Sequence, residues 1–195
     1  VSRSAEHSTR FYRSTNLDRD FYADDALANY CLTDSIRGYV TRVVDGLRPG
    51  STLRAWRVIG PYGCGKSSFA LALARHLSGK TLPKSLTVLP KCEMVLTPIL
   101  VTCSKAPLAQ AVIKGVESFS ASRPGRPIKA LKRTDRTPSE QAMDCLKSLF
   151  DRGEGVLLIL DELGKALEYA ALNPKEDDVF LLQQAKKTKN NVKFI

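Results

Sequence analysis

The chain has 195 residues and carries 30 Lys and Arg against 20 Asp and Glu, for a formal charge of +10. A chain of this length makes one domain that buries roughly 70% of its unfolded surface, so it needs no disulfide framework. With no run of about 18 apolar residues and no basic-then-apolar leader, neither a membrane-spanning helix nor a secretory signal is expected, and a soluble cytoplasmic setting is. The five cysteines, Cys31, Cys64, Cys92, Cys103 and Cys145, are odd in number and include no C-x-x-C pair, in keeping with a reducing compartment. His7 and His76 have no cysteines at ligand spacing, which excludes a zinc site. The positive excess suits polyanions, either nucleotide or nucleic acid.

Residues 1–30 read as an N-terminal arm. Arg3, Arg10, Arg13 and Arg19 interleave there with Phe11, Tyr12, Phe21 and Tyr22 without periodicity. Such residues stack on single-stranded bases or pin an arm by apolar contacts, and the pinned arm is the favoured reading. Residues 31–195 read as one domain. Thr33 or Asp34 caps a helix whose apolar positions Ile36, Tyr39, Val40, Val43, Val44 and Leu47 fall at helical spacing, and Pro49-Gly50 ends it. Tyr30 to Tyr39 can lie beside a nucleotide base, although core packing is the better reading. Ala55–Ile59 predicts a short buried strand, and Ser67–Leu77 an Ala- and Leu-rich helix stopped at Gly79.

Between that strand and that helix lies Gly60-Pro61-Tyr62-Gly63-Cys64-Gly65-Lys66-Ser67-Ser68, which fits the pattern of Gly, four residues, then Gly-Lys-Ser/Thr. Glycines at 60, 63 and 65 admit backbone conformations closed to other residues, so that successive N–H groups face a phosphate at the positive end of the helix. In this pattern Lys66 reaches the β- and γ-phosphates and Ser67 places its hydroxyl on Mg²⁺. The expected ligand is therefore Mg-ATP or a similar triphosphate.

Lys80 to Glu93, with two prolines, reads as a connector. Met94 to Cys103 is the next apolar run, with Pro98 at the head of a strand over Ile99–Thr102 and a helix from about Pro107 to Phe119 after it. The stretch from Ser122 to Arg136 holds six Lys and Arg (Arg123, Arg126, Lys129, Lys132, Arg133, Arg136) against Asp135 alone. It either tracks a nucleic-acid backbone, gives a trans-acting arginine, or forms a solvated linker, the last being favoured. Thr137-Pro138-Ser139-Glu140 starts a helix through Phe150. Gly155–Leu160 is then an unbroken apolar run ending in Asp161-Glu162, as in a strand buried on both faces that delivers carboxylates to the edge of a parallel sheet. Asp161 would hold Mg²⁺ through water, and Glu162 would deprotonate the attacking water. A short helix runs to about Asn173-Pro174, Asp177-Asp178 caps another over Val179–Lys189, and Val192–Ile195 would be the fourth core strand. The chain opens on Val1 and stops in that apolar stub, so a fragment of a longer protein is expected.

No base-reading N/T-K-x-D motif is present, since Thr188-Lys189-Asn190-Asn191 lacks the Asp, and Leu77-Ser78-Gly79-Lys80 is a misplaced and incomplete transporter signature. The strings around Gly60–Leu71 and Asp161–Ala171, with the strand Ile99–Thr102 inserted between the two Walker strands, Ala55–Ile59 before the loop and the one ending in Asp161-Glu162, resemble the AAA-type or STAND-like ATP-binding domain of large bacterial ATPases, some linked to anti-phage defence. The resemblance covers about residues 30–195. It implies a three-layer α/β P-loop fold with a mostly parallel sheet, truncated at the fourth core strand, and a cytoplasmic switch or motor within a larger or oligomeric protein. It carries catalytic roles to Lys66 and Glu162 and metal-binding roles to Ser67 and Asp161. A nucleic-acid-stimulated helicase or translocase core, and a nucleotide switch with negligible turnover, are the alternatives.

Overall fold

In the computed structural model, residues 14–48, 50–53, 55–122, 128, 135–151, 155–174, 182 and 192–194 are described. Six helices and three strands are assigned among them: α1 Leu17–Asp20, α2 Asp34–Leu47, α3 Lys66–Leu77, β1 Leu96–Thr102, α4 Leu108–Ala121, α5 Pro138–Phe150, β2 Gly155–Asp161, α6 Leu163–Leu172 and β3 Val192–Phe194. The connector between α3 and β1 contains one 3₁₀ turn, Lys84–Leu86.

Capping chemistry sets several helix starts. Thr33, and not Asp34, caps α2 by accepting from the Ile36 N–H, and α4 begins directly after Pro107. In α5 the Thr137 hydroxyl accepts from the Glu140 N–H while the Glu140 carboxylate accepts from the Thr137 N–H, a reciprocal capping box with Pro138 in the first turn. Those bonds from Thr137 hold the Glu140 carboxyl below its ordinary value of 4.5. The contribution of this carboxylate is thus present above the unfolded value and is lost as pH falls through the lower folded one. Replacing the cap, Thr137→Ala should lower stability by about 1 kcal/mol, read as a shifted denaturant midpoint at unchanged slope. An unmoved midpoint would contradict the cap.

The strands form a parallel sheet in the order β1-β2-β3. Leu96 pairs with Gly155 and Thr102 with Asp161, so both strands end at the same edge. Cys103 continues the ladder, its N–H donating to the Asp161 carbonyl at 2.8 Å. Backbone groups alternate along a strand, so residues 97, 99 and 101 share Cys103's direction toward β2, and 98, 100 and 102 face the open side. Pro98, read from the sequence as preceding the strand, is instead inside it. Its missing N–H points away from the ladder of an edge strand, where proline is tolerated.

Two buried clusters cover the two sheet faces. Ile99, Val101, Val156 and Leu158 pack with Val112 and Val116 of α4, Leu146 and Leu149 of α5 and Ala166 of α6. Leu96, Leu157 and Ile159 pack on the other face with α2, α3, Leu17 and Phe21. The architecture is α/β with helices on both sides of a small parallel sheet. No helix among the described residues is long and apolar enough to cross a membrane.

The predicted strand Ala55–Ile59 is not formed. Ala55 is a single bridge residue, Trp56 packs against α2, and Val58 and Ile59 are 43% and 75% exposed. A Cβ at Gly46 of α2 would meet Trp56 Cζ2 at 2.5 Å, so the segment is tied down through its indole and not through a ladder. Ile99–Thr102 forms a strand as expected, extended back to Leu96. It belongs to the outer strand β1, and Val192–Phe194 flanks β2 on the other side.

Residues 1–13 lie outside the described part, but the rest of the arm is pinned as expected, with Leu17, Phe21 and Leu27 buried. Arg19 pairs with the buried Asp20 through two bonds, 2.6 Å from Nε and 3.1 Å from Nη2, which removes it from any base-stacking role. The buried Arg75 of α3 donates to the Phe21 carbonyl at 3.1 Å and the Ala23 carbonyl at 2.8 Å. Tyr30 packs with this cluster, and its buried hydroxyl has no hydrogen-bond partner among the described residues. Burial pushes that phenol up to about 12 from 10.0. The neutral phenol is favoured in the folded chain, so its contribution is present below pH 10 and is lost as the pH rises toward 12. Tyr30→Phe should flatten the fall in melting temperature between pH 10 and 12, without loss of stability at pH 7, since it removes an unsatisfied group. An equally steep alkaline fall in the variant would contradict this.

Most of the basic stretch 123–136 lies outside the described residues, as does nearly all of the predicted helix over 179–189. Within the former, Ile128 is buried and its N–H donates to Ser120 Oγ at 2.9 Å, while Arg136 pairs with Asp144 at 2.9 Å. At Ile128 the stretch is anchored to the core, and at Arg136 it is tied to the surface of α5.

Candidate functional site

The loop from Gly60 to Ser68 is shaped by its glycines. Gly63 and Gly65 have φ of +78° and +85°, the left-handed region that side-chained residues rarely occupy. Gly65 is also the N-cap of α3 and offers no side-chain oxygen, so the first-turn N–H groups of the helix have no side-chain cap. A Cβ at Gly60 would come within 2.6 Å of Cys64 Sγ, so the loop closes tightly on itself there. The loop therefore leads into the uncapped, positive end of a 12-residue helix, which suits an anion, while the Cys64 N–H donates to the Pro61 carbonyl at 3.4 Å.

Lys66 folds back over this loop, donating from Nζ to the carbonyls of Gly60 at 3.0 Å and Pro61 at 2.8 Å, and lies 3.9 Å from Cys64 Sγ. Pro61, Tyr62, Gly63 and Cys64 are exposed, with Tyr62 at 95%, while Ser67 is half-buried. The Ser68 hydroxyl bonds Thr15 of the arm at 2.7 Å. Nothing in the sequence pointed to Thr15.

Asp161 ends β2 half-buried, and its Oδ1 accepts from the Glu162 N–H at 3.0 Å. Glu162 has φ +56°, the one positive value among the described non-glycine residues, and begins α6. Such strain collects at functional positions. Its carboxylate lies 3.3 Å from Lys165 Nζ, three residues on, a pair legible from helical spacing. Cys103 sits beside these acids. Burial, with the charges of Asp161 and Glu162 adding to it, pushes its thiol up to about 11 from 9.0, so this cysteine is inert toward thiol reagents at neutral pH. Cys31 and Cys64 are exposed and free.

α3 packs on β1 and β2, yet no hydrogen bond or ion pair joins the loop to Asp161 or Glu162. Each candidate is held by its own neighbours, Lys66 by loop carbonyls and Glu162 by Lys165. Of the tyrosines read as base contacts or core residues, Tyr30 is half-buried and Tyr39 is 53% exposed, against the core packing favoured for it. Tyr30 packs in the core cluster, and Tyr39 meets Phe69 edge-on at 6.4 Å. His76 bonds the Pro90 carbonyl at 2.8 Å, as a packed residue.

The donors available to a metal are hard oxygens, the Ser67 hydroxyl and the Asp161 carboxylate, which suit Mg²⁺. No group of three or more His, Cys, Asp or Glu gathers among the described residues. A magnesium ion would therefore be held by one or two protein oxygens plus phosphate, the arrangement that ion favours. Compared with protein-family models, curated proteins and solved structures, the chain matches none of them.

Proposed function

We propose that this chain is a P-loop ATPase domain, binding Mg-ATP and hydrolysing it to drive conformational switching in a larger or oligomeric protein of the AAA or STAND type. The observation that carries the reading is the Gly60–Ser68 cradle, with left-handed glycines at 63 and 65, no side-chain cap on α3, and Lys66 at the helix start.

The phosphates would lie against the N–H groups of residues 63–68. Lys66 would exchange the carbonyls of Gly60 and Pro61 for the β- and γ-phosphate oxygens, gaining a charge-assisted bond. Ser67 and Asp161 would hold Mg²⁺, which supplies charge neutralisation at the phosphates. Glu162 would accept a proton from the attacking water as its oxygen bonds the γ-phosphorus and the bridging bond to ADP breaks, and then return the proton to solvent. The exposed pair with Lys165 is worth less than about 1 kcal/mol, so it does not lock the base away.

The test is phosphate release from Mg-ATP by the purified chain over a range of protein concentrations, with Lys66→Ala as the blank. Turnover above the blank supports the ATPase, and turnover per molecule that rises with concentration supports assembly. Tight ATP binding without turnover would leave the nucleotide switch, and no binding would overturn the reading.

A further inference from the structure

A groove of about 600 Å³ runs along the open edge of β1, and none of residues 60–68 lines it. Its walls come from the two helical layers. Lys114 of α4 stands on one side, Asp18, Phe21 and Tyr22 of the arm on the other, and Leu100 and Thr102 form the back. Pro98, Leu100 and Thr102 turn their backbones toward the groove, and among the described residues their groups on that side have no bonding partner. The edge therefore offers N–H groups at 100 and 102 and carbonyls at 98, 100 and 102, spaced for an extended chain. About six residues of strand would span it, at roughly 3.3 Å each.

We infer that the groove takes an extended segment of another polypeptide, added as a strand beside β1, with a basic and an acidic residue adjacent in its sequence. Neighbouring side chains of a strand point to opposite faces. A strand lying in the sheet plane would send one side chain toward the arm and the next toward α4. The arm presents Asp18 and α4 presents Lys114, both exposed, and neither has a hydrogen-bond or ion-pair partner among the described residues. An adjacent Lys-Glu pair satisfies both charges at once, whereas the same charges two residues apart would face one wall. Strand addition of this kind draws affinity from main-chain bonds and selectivity from alternate side chains.

The experiment is fluorescence anisotropy with the full chain and a labelled, capped hexapeptide, Thr-Val-Lys-Glu-Val-Thr. Saturable binding below about 1 mM is expected. Methylating alternate peptide nitrogens should weaken it by about tenfold, as should Lys114→Glu, and separating the charges as Thr-Lys-Val-Glu-Val-Thr should weaken it about fivefold. Absence of saturable binding, or binding indifferent to N-methylation and to charge placement, overturns the proposal. Binding that appears only once residues 1–13 are removed identifies the chain's own segment as occupant and overturns a partner. Dimerisation by light scattering that the peptide competes away does the same in favour of a second copy. None of these outcomes depends on ATP turnover, so the two proposals fail separately.

Discussion

Glu162→Gln should leave Mg-ATP bound while lowering phosphate release by about 10²–10⁴-fold, the usual contribution of a positioned general base. The amide keeps the size of the side chain and its place at the start of α6, but it cannot take the water proton. The loss should fall on kcat with KM nearly unchanged, because the loop proposed to hold the phosphates is built from other residues. The exposed ion pair with Lys165 at 3.3 Å would disappear too, at a cost to stability of less than about 1 kcal/mol. An equal melting temperature with lowered turnover would therefore separate chemistry from folding. Undiminished turnover in the variant would mean that Glu162 is not the base.

Arg75→Ala should lower stability by about 3 kcal/mol, because it leaves the Phe21 and Ala23 carbonyls without their donor inside the protein, each costing roughly 1–3 kcal/mol. For a chain of this size that corresponds to a fall in melting temperature of about 6–12 °C. The arm should also become a protease target between residues 14 and 30. With the guanidinium gone, α3 retains the Thr15–Ser68 bond and the contacts of Lys80, which sits 4.8 Å from the Phe21 and Tyr22 ring centres. Arg75→Lys should recover only part of the loss, since one ammonium does not reproduce the planar fork that reaches two carbonyls. Unchanged melting and unchanged proteolysis would mean that the arm is held by apolar packing alone.

How far the structure was readable depended on the kind of interaction involved. Helices α2 to α6 were legible because their apolar spacing and end signals agree, as at Thr33, Pro107 and the Thr137–Glu140 box. β2 was legible for a related reason, being an apolar run buried on both faces. The Ala55–Ile59 run failed because apolar composition does not supply a ladder partner. Trp56 packs against α2 and carries the segment off the sheet, leaving Val58 and Ile59 exposed. Pro98 misled through the opposite error, since a proline whose missing N–H faces the open edge interrupts nothing. At the candidate site, the loop glycines and the acids at 161 and 162 could be named from spacing alone. The contacts that hold them, Thr15 on Ser68 and Cys103 beside Asp161, join residues distant in sequence and leave no local signal.

The central claim is that the Gly60–Ser68 loop holds the phosphates of ATP, and Cys64 gives a direct reading of it. This thiol is exposed in the loop, 3.9 Å from the Lys66 ammonium, and Cys31 is an equally exposed reference in another part of the chain. Maleimide labelling followed residue by residue, with and without saturating Mg-ATP, is the measurement. Bound phosphates should slow the labelling of Cys64 by about tenfold or more and leave Cys31 unaffected, and Lys66→Ala should abolish the protection. Labelling of Cys64 at the same rate with and without Mg-ATP in the unmodified chain would contradict the account.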